Sequence, residues 1–146
     1  MTLTPEWATK EKKSSRLTRS SKILKVITKA IQDKKGEHIV SLDLRKIPEA
    51  VADFFLVCEA GSTTQVKAIA DHIEESVWEN CGERIYRHEG HGALHWIIID
   101  YINVVVHVFQ PETRKFYKLE EMWSDAVLAE VQEPEPQPKP VRNKKR

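Results

Sequence analysis

The sequence predicts an α/β domain: one mixed five-stranded sheet with flanking helices. Three observations predict it. Apolar residues recur at helical spacing in three segments and in short strand-like runs in five others. The run at 54–58 passes through Gly61-Ser62 directly into a long helical stripe, the order of a crossover unit. Two later runs are separated only by Ile102-Asn103, the spacing of an antiparallel hairpin.

The first helix begins near Ser20 or Ser21, either of which can cap it. Ile23, Ile27, Ala30 and Ile31 mark its buried stripe, and Gly36 supplies a stop. A strand over 38–44 follows, with Ile39, Val40, Leu42 and Leu44. Pro48 interrupts, and the continuous run Phe54-Phe55-Leu56-Val57-Cys58 reads as a strand covered on both faces. Ser62 with Gln65 three residues on is a capping-box pattern. It opens a helix whose stripe is Val66, Ile69, Ala70, Ile73 and Val77, closed at Cys81-Gly82. Strands are predicted over 84–88, 94–101 and 104–109. Pro111 then starts a last helix with an apolar face of Phe116, Leu119 and Trp123.

Domain organisation follows from composition and charge. Residues 1–19 are polar and aperiodic, a flexible basic lead-in. The folded domain is expected over 20–128. Residues 129–146 carry prolines at 134, 136, 138 and 140 and end Arg-Asn-Lys-Lys-Arg, a disordered proline-rich basic tail. The whole chain of 146 residues has a net charge of only +1, but residues 23–128 taken alone balance to −5. An acidic body with basic ends suits a basic protein on one surface and phosphate on another. No apolar run reaches the roughly 18–20 residues of a membrane span. No apolar stretch follows the first Met, and two cysteines are too few for a disulfide scaffold. A cytoplasmic protein with no membrane association is the expectation.

The chemistry-bearing residues mostly argue against catalysis. The strand–turn–helix at Gly61-Ser62 is how nucleotide-transferring enzymes begin, but those need two carboxylates at i and i+2 on a strand to hold magnesium. The one acid-x-acid pair is Glu133/Glu135, inside the tail. His88, His91 and His95 do not have the H-E-x-x-H helix spacing of a zinc site and read as surface histidines. No nucleophile has a triad, and phosphate loops of the P-loop or dinucleotide type are missing. Neither cofactor nor metal is expected. A nucleotide-binding or nucleotidyltransferase-like enzyme is the alternative reading.

A binding face is more promising. If Ile97 and Ile99 face the core, then Trp96, Ile98 and Asp100 share the other face, and His107 joins them across the hairpin in a suitable register. An aromatic, an aliphatic and a carboxylate together make a docking patch. The competing possibility is that a helix covers this face, leaving Trp96 as core and Asp100 as a satisfied buried acid.

The motifs Ala52-Asp53-Phe54-Phe55-Leu56-Val57-Cys58, Gly61-Ser62-Thr63-Thr64-Gln65-Val66, Trp96-Ile97-Ile98-Ile99-Asp100-Tyr101 and Val104-Val105-Val106-His107-Val108-Phe109, with 114–126 closing, resemble the ribosomal silencing factor (Iojap) family over about 20–126. The resemblance implies a fold related to nucleotidyltransferases without their catalytic acids. It also implies a translation repressor, not an enzyme. Such a factor docks on the large ribosomal subunit through ribosomal protein L-fourteen and sterically blocks joining of the small subunit, notably under nutrient limitation. The family self-associates as a homodimer. Onto Trp96, Asp100 and His107 the motif match adds Asp53, Tyr101 and Tyr117 as partner-binding residues, and the basic ends are expected to touch ribosomal RNA. Two departures stand out: Glu59-Ala60-Gly61 replaces a small polar residue and glycine, and Ile102 occupies a hairpin position often filled by glycine.

Overall fold

A computed structural model describes residues 17–18, 21–90, 93–123 and 126–131. The chain runs α1 (Lys22–Asp33), β1 (Glu37–Asp43), β2 (Phe54–Glu59), α2 (Thr63–Cys81), β3 (Arg87–Glu89), β4 (Trp96–Asp100), β5 (Val104–Phe109), α3 (Pro111–Tyr117), α4 (Leu119–Met122) and β6 (Val127–Glu130). The sheet has six strands in the order β3-β4-β5-β2-β1-β6. Only β2 and β5 pair in parallel; the other four pairings are antiparallel.

The sixth strand corrects the expected five. β6 pairs with β1 from Val40↔Glu130 to Asp43↔Val127, so Ala129 and Glu130, assigned above to the tail, belong to the sheet. Its signal is weak for a physical reason. An edge strand of four residues that leaves Val127 and Leu128 about half exposed shows no alternation, and prolines follow it closely. The basic residues of both chain ends lie outside the described residues, apart from Lys22.

Helices α1 and α2 close one side of the sheet. Ile27, Ile31, Ile69 and Ile73 pack there on Phe54, Leu56, Ile97, Ile99 and Val106, all essentially inaccessible to water. Two local devices differ from the sequence reading. Ser62 Oγ accepts from Gln65 N at 3.1 Å, but the Gln65 side chain does not return the bond. It donates instead to the carbonyls of Lys34 and Lys35, tying the start of α2 to the end of α1. Gly36 is needed for space rather than for stopping the helix. Lys35 takes the left-handed conformation (φ 65°), while a Cβ on Gly36 would collide with the Ile31 side chain.

The other side of the sheet has less cover. α3 stops at Tyr117 because Lys118 turns left-handed (φ 50°), and α4 is only four residues long. That break corrects the single apolar face expected of the last helix. Leu119 is buried against the sheet, but Phe116, on the far side of the break, is 78% exposed. Arg114 holds the pair of short helices down. Its guanidinium donates to the His38 carbonyl on β1 (2.8 Å), to Glu59 on β2 (3.0 Å) and to Glu120 on α4 (2.6 Å).

The hairpin between β4 and β5 closes through Asn103 N donating to the Tyr101 carbonyl across Ile102, whose φ is 77°. This is a γ-turn of the rare positive-φ kind. Asp100 Oδ1 accepts from Ile102 N at 2.7 Å and holds the turn in place. A β-branched residue is strained there.

Two stability outcomes follow. Ile102→Gly relieves the strain and should stabilise the domain by about 0.5–1 kcal/mol, seen as a higher Tm. Arg114→Met strands the Glu59 and Glu120 carboxylates, which are mostly buried. It should cost about 2–3 kcal/mol in urea unfolding.

Candidate functional site: an aromatic groove on the half-covered face

Strand alternation divides β5 cleanly. Val104, Val106 and Val108 enter the helix-side core, whereas Val105, His107 and Phe109 point to the opposite face. The same division sends Trp96, Ile98 and Asp100 of β4 and Phe55 of β2 to that face. The hairpin register places His107 beside Ile98 and Phe109 beside Trp96. Because α4 reaches over only part of this surface, a groove of about 450 Å³ remains. Phe55, Ile98, Val105 and His107 form its floor, Trp96, Leu119 and Trp123 its walls, and Glu49, Arg87, Glu89 and Asp100 contribute charge. Both possibilities weighed for this face are thus partly realised: a helix covers it, but incompletely.

Trp96 is the hub. Its indole stacks on Phe109 (centroids 4.7 Å, 26° between planes), meets Tyr117 at 4.8 Å, and donates through Nε1 to His107 Nδ1 at 3.1 Å. Beyond Tyr117, exposed Phe116 continues the aromatic strip at 5.0 Å. His107 also lies 4.7 Å from the Phe55 ring, which in turn meets Trp123 edge-on at 5.7 Å. Burial among these rings pushes the His107 imidazole down from 6.5 to about 3, so it is neutral at physiological pH. With Nδ1 accepting from Trp96, the proton sits on Nε2.

The six residues singled out in the sequence separate into two groups. Trp96, Asp100 and His107 come together in the groove, and Tyr117 extends its edge through Trp96. Asp53 and Tyr101 do not line it. Asp53 is fully buried at the start of β2, where its carboxylate accepts from Leu17 N at 3.2 Å. Tyr101 turns into the helix-side core. Burial, with Glu74 and Glu83 nearby, pushes its phenol well above the usual range. Asp100 lines the groove, but one of its oxygens serves the Ile102 turn, so part of its role is structural.

The sequence reading missed Phe55, Trp123, Arg87 and exposed Phe116 as groove or rim residues. Phe55 has a signal, since alternation within 54–58 separates it from Phe54, but a run buried on both faces does not say which face is which. A cleft of about 530 Å³ on the helix side, between α1 and β6, has no aromatic side chain among its described lining residues. Among the described residues no group of three or more His, Cys, Asp or Glu converges as metal ligands. None of their helices is long and apolar enough to cross a membrane.

The family model described as "Ribosomal silencing factor during starvation" matches residues 17–146. This chain belongs to the ribosomal silencing factor family. It is 42% identical over 109 residues to ribosomal silencing factor RsfS of Bacillus subtilis, covering 75% of this chain and 91% of that one. It is also 30% identical over 108 residues to the chloroplastic protein Iojap of Zea mays, covering 72% of this chain and 45% of that one. Among solved structures, a crystal structure from Bacillus halodurans superposes with a TM-score of 0.65 at 38% identity, covering 75% of this chain and 97% of that one. Another from Chromobacterium violaceum gives 0.67 at 32%, covering 78% and 94%. The Bacillus subtilis relative is named as a silencing factor, a regulator rather than an enzyme.

The buried imidazole makes stability depend on pH. The unfolded chain takes up a proton near pH 6.5, the folded chain only near pH 3. In between, the unfolded state binds more protons, so acid destabilises the fold. The loss should approach about 1.4 kcal/mol per pH unit as pH falls through that window. Urea unfolding of the wild type and of His107→Phe at stepped pH should show this component disappear in the variant.

Proposed function

We propose that this chain represses translation by docking its aromatic groove on the large ribosomal subunit, at ribosomal protein L-fourteen, and so excluding the small subunit by volume. The observation that carries this reading is Trp96. It is a large, half-buried aromatic fixed on a strand by three ring partners, at the edge of an open apolar groove. Central aromatic anchors in desolvated pockets dominate binding energy at protein interfaces.

Electrostatics support a basic partner. Glu49, Glu89 and Asp100 outnumber Arg87 around the groove, and such a rim raises the rate of encounter with a positively charged surface. Family membership supports a ribosomal partner. So does the printed name of a mouse relative, "Mitochondrial assembly of ribosomal large subunit protein 1", 30% identical over 85 residues, 54% of this chain and 37% of that one. Blocking by occupancy requires no reaction at the site, in keeping with the missing acid-x-acid pair in the folded domain.

The test is Trp96→Ala in the full chain, co-sedimented with purified large subunits. Loss of a central anchor should weaken binding by about 2 kcal/mol, roughly 30-fold, with far-UV circular dichroism unchanged. In parallel, light scattering of mixed subunits should show joining suppressed by the wild type and restored with the variant. A folded variant that binds and blocks like the wild type removes the groove from the interface.

A further inference from the structure

The groove holds a donor with nothing to donate to. His107 Nε2 carries the proton, because Nδ1 is already the acceptor for Trp96 Nε1. The side chain is nine-tenths buried or more, and Nε2 has no hydrogen-bond partner among the described residues. Native proteins rarely leave a buried N–H unpaired, since desolvating it without compensation destabilises the fold. A loop or helix could have supplied an acceptor. Instead the imidazole is surrounded by Phe55, Trp96 and Phe109, none of which offers one there, and it lies in the lining of the open groove.

We propose that His107 is a specificity-determining contact, whose Nε2–H is completed by a main-chain carbonyl of the partner segment that fills the groove. This rests on the reading of the groove as the ribosome-docking face, and it specifies the chemistry that face selects. The lining narrows the acceptor. A partner carboxylate would have to lose its water beside Glu49, Glu89 and Asp100, and a lysine or arginine brings donors only. An uncharged oxygen remains. A segment that puts an apolar side chain between Ile98, Val105 and Leu119 carries such an oxygen in its own backbone. Nε2 is shielded from solvent in the free protein, so the acceptor reaches it only as a wall side chain shifts. Trp96 is held by its bond to His107, so the half-buried Trp123, edge-on to Phe55, is the wall that moves.

An unsatisfied donor kept for a partner predicts a loss of binding without a matching loss of stability. His107→Phe removes the stranded donor but also the acceptor of the half-buried Trp96 Nε1, so its Tm at pH 7 should stay close to that of the wild type. Its affinity for large subunits should fall roughly tenfold or more, because the partner's carbonyl is then buried unpaired. His107→Met repeats the test with an unbranched side chain that packs differently. His107→Gln offers both an acceptor for Trp96 and a donor, and should hold affinity within about threefold of the wild type. The readout is co-sedimentation of each full-length variant with purified large subunits, alongside Trp96→Ala and a Tm for every variant. If Phe and Met bind like the wild type while Trp96→Ala does not, His107 is overturned and the groove reading stands. If folded Gln binds as weakly as Phe, the donor role is overturned. If no variant weakens binding, or the wild type itself does not bind, both readings fall.

Discussion

The parallel register of β2 against β5 is the constraint on which the rest depends. Phe55 pairs with Val105 and Val57 with His107, so the two strands agree, residue by residue, about which side chains go to which face. Side chains alternate with a period of two. A slip of one residue would drive His107 into the helix-side core among isoleucines and bring Val106 and Val108 out into the groove. Both strands are buried along almost their whole length, so every misplaced polar or apolar group would be felt. The groove is therefore a by-product of core packing. Its floor is fixed by the same apolar residues that hold the sheet together, so that floor is ordered by the fold itself.

The two sides of that sheet are covered unequally. On one side α1 and α2, of 12 and 19 residues, form a continuous core. On the other, α3 and α4 contribute 7 and 4 residues, too few to be stable as isolated helices. They stay in place because Arg114 reaches from α3 to β1, β2 and α4 together, while Leu119 and Trp123 settle onto Phe55 and its neighbours. A longer helix would have sealed the face and buried Trp96 outright. The short pair, broken at Lys118, covers the β2 side and leaves the β4 side open. The groove is what the chain does not cover.

Much of this was legible in the sequence, and the reasons differ by element. The β5 boundaries and the α2 stripe were readable because burial on a regular element repeats with the element's own period. The groove-lining trio of Trp96, Asp100 and His107 follows from alternation plus a short hairpin. Features that depend on distant chain segments were not readable. Arg114 looks like one more helical base until His38, Glu59 and Glu120 are seen around it. Gln65 looks like half of a reciprocal cap until the end of α1 arrives beside it. Asp53 and Tyr101 belong to the motifs that carry the family resemblance, yet they sit in the body of the fold, one holding Leu17 and the other packed near Glu74 and Glu83. Membership in a recurring motif does not separate a residue that contacts a partner from one that holds the scaffold.

Trp96 and His107 depend on each other more closely than a shared surface requires. The indole N–H fixes the imidazole tautomer by occupying Nδ1, and the imidazole fixes the indole by accepting that bond at the point where stacking on Phe109 alone would leave the ring free to turn. Placing a tryptophan at an interface ordinarily costs rotamer entropy on binding. Here the ring is already ordered in the free protein, and the donor on Nε2 is oriented by the same bond. The rings around the pair keep it dry, which strengthens any polar contact made there and keeps the imidazole neutral over the pH range in which ribosomes work. One hydrogen-bonded pair thus sets the geometry, the protonation state and the polarity of the surface together.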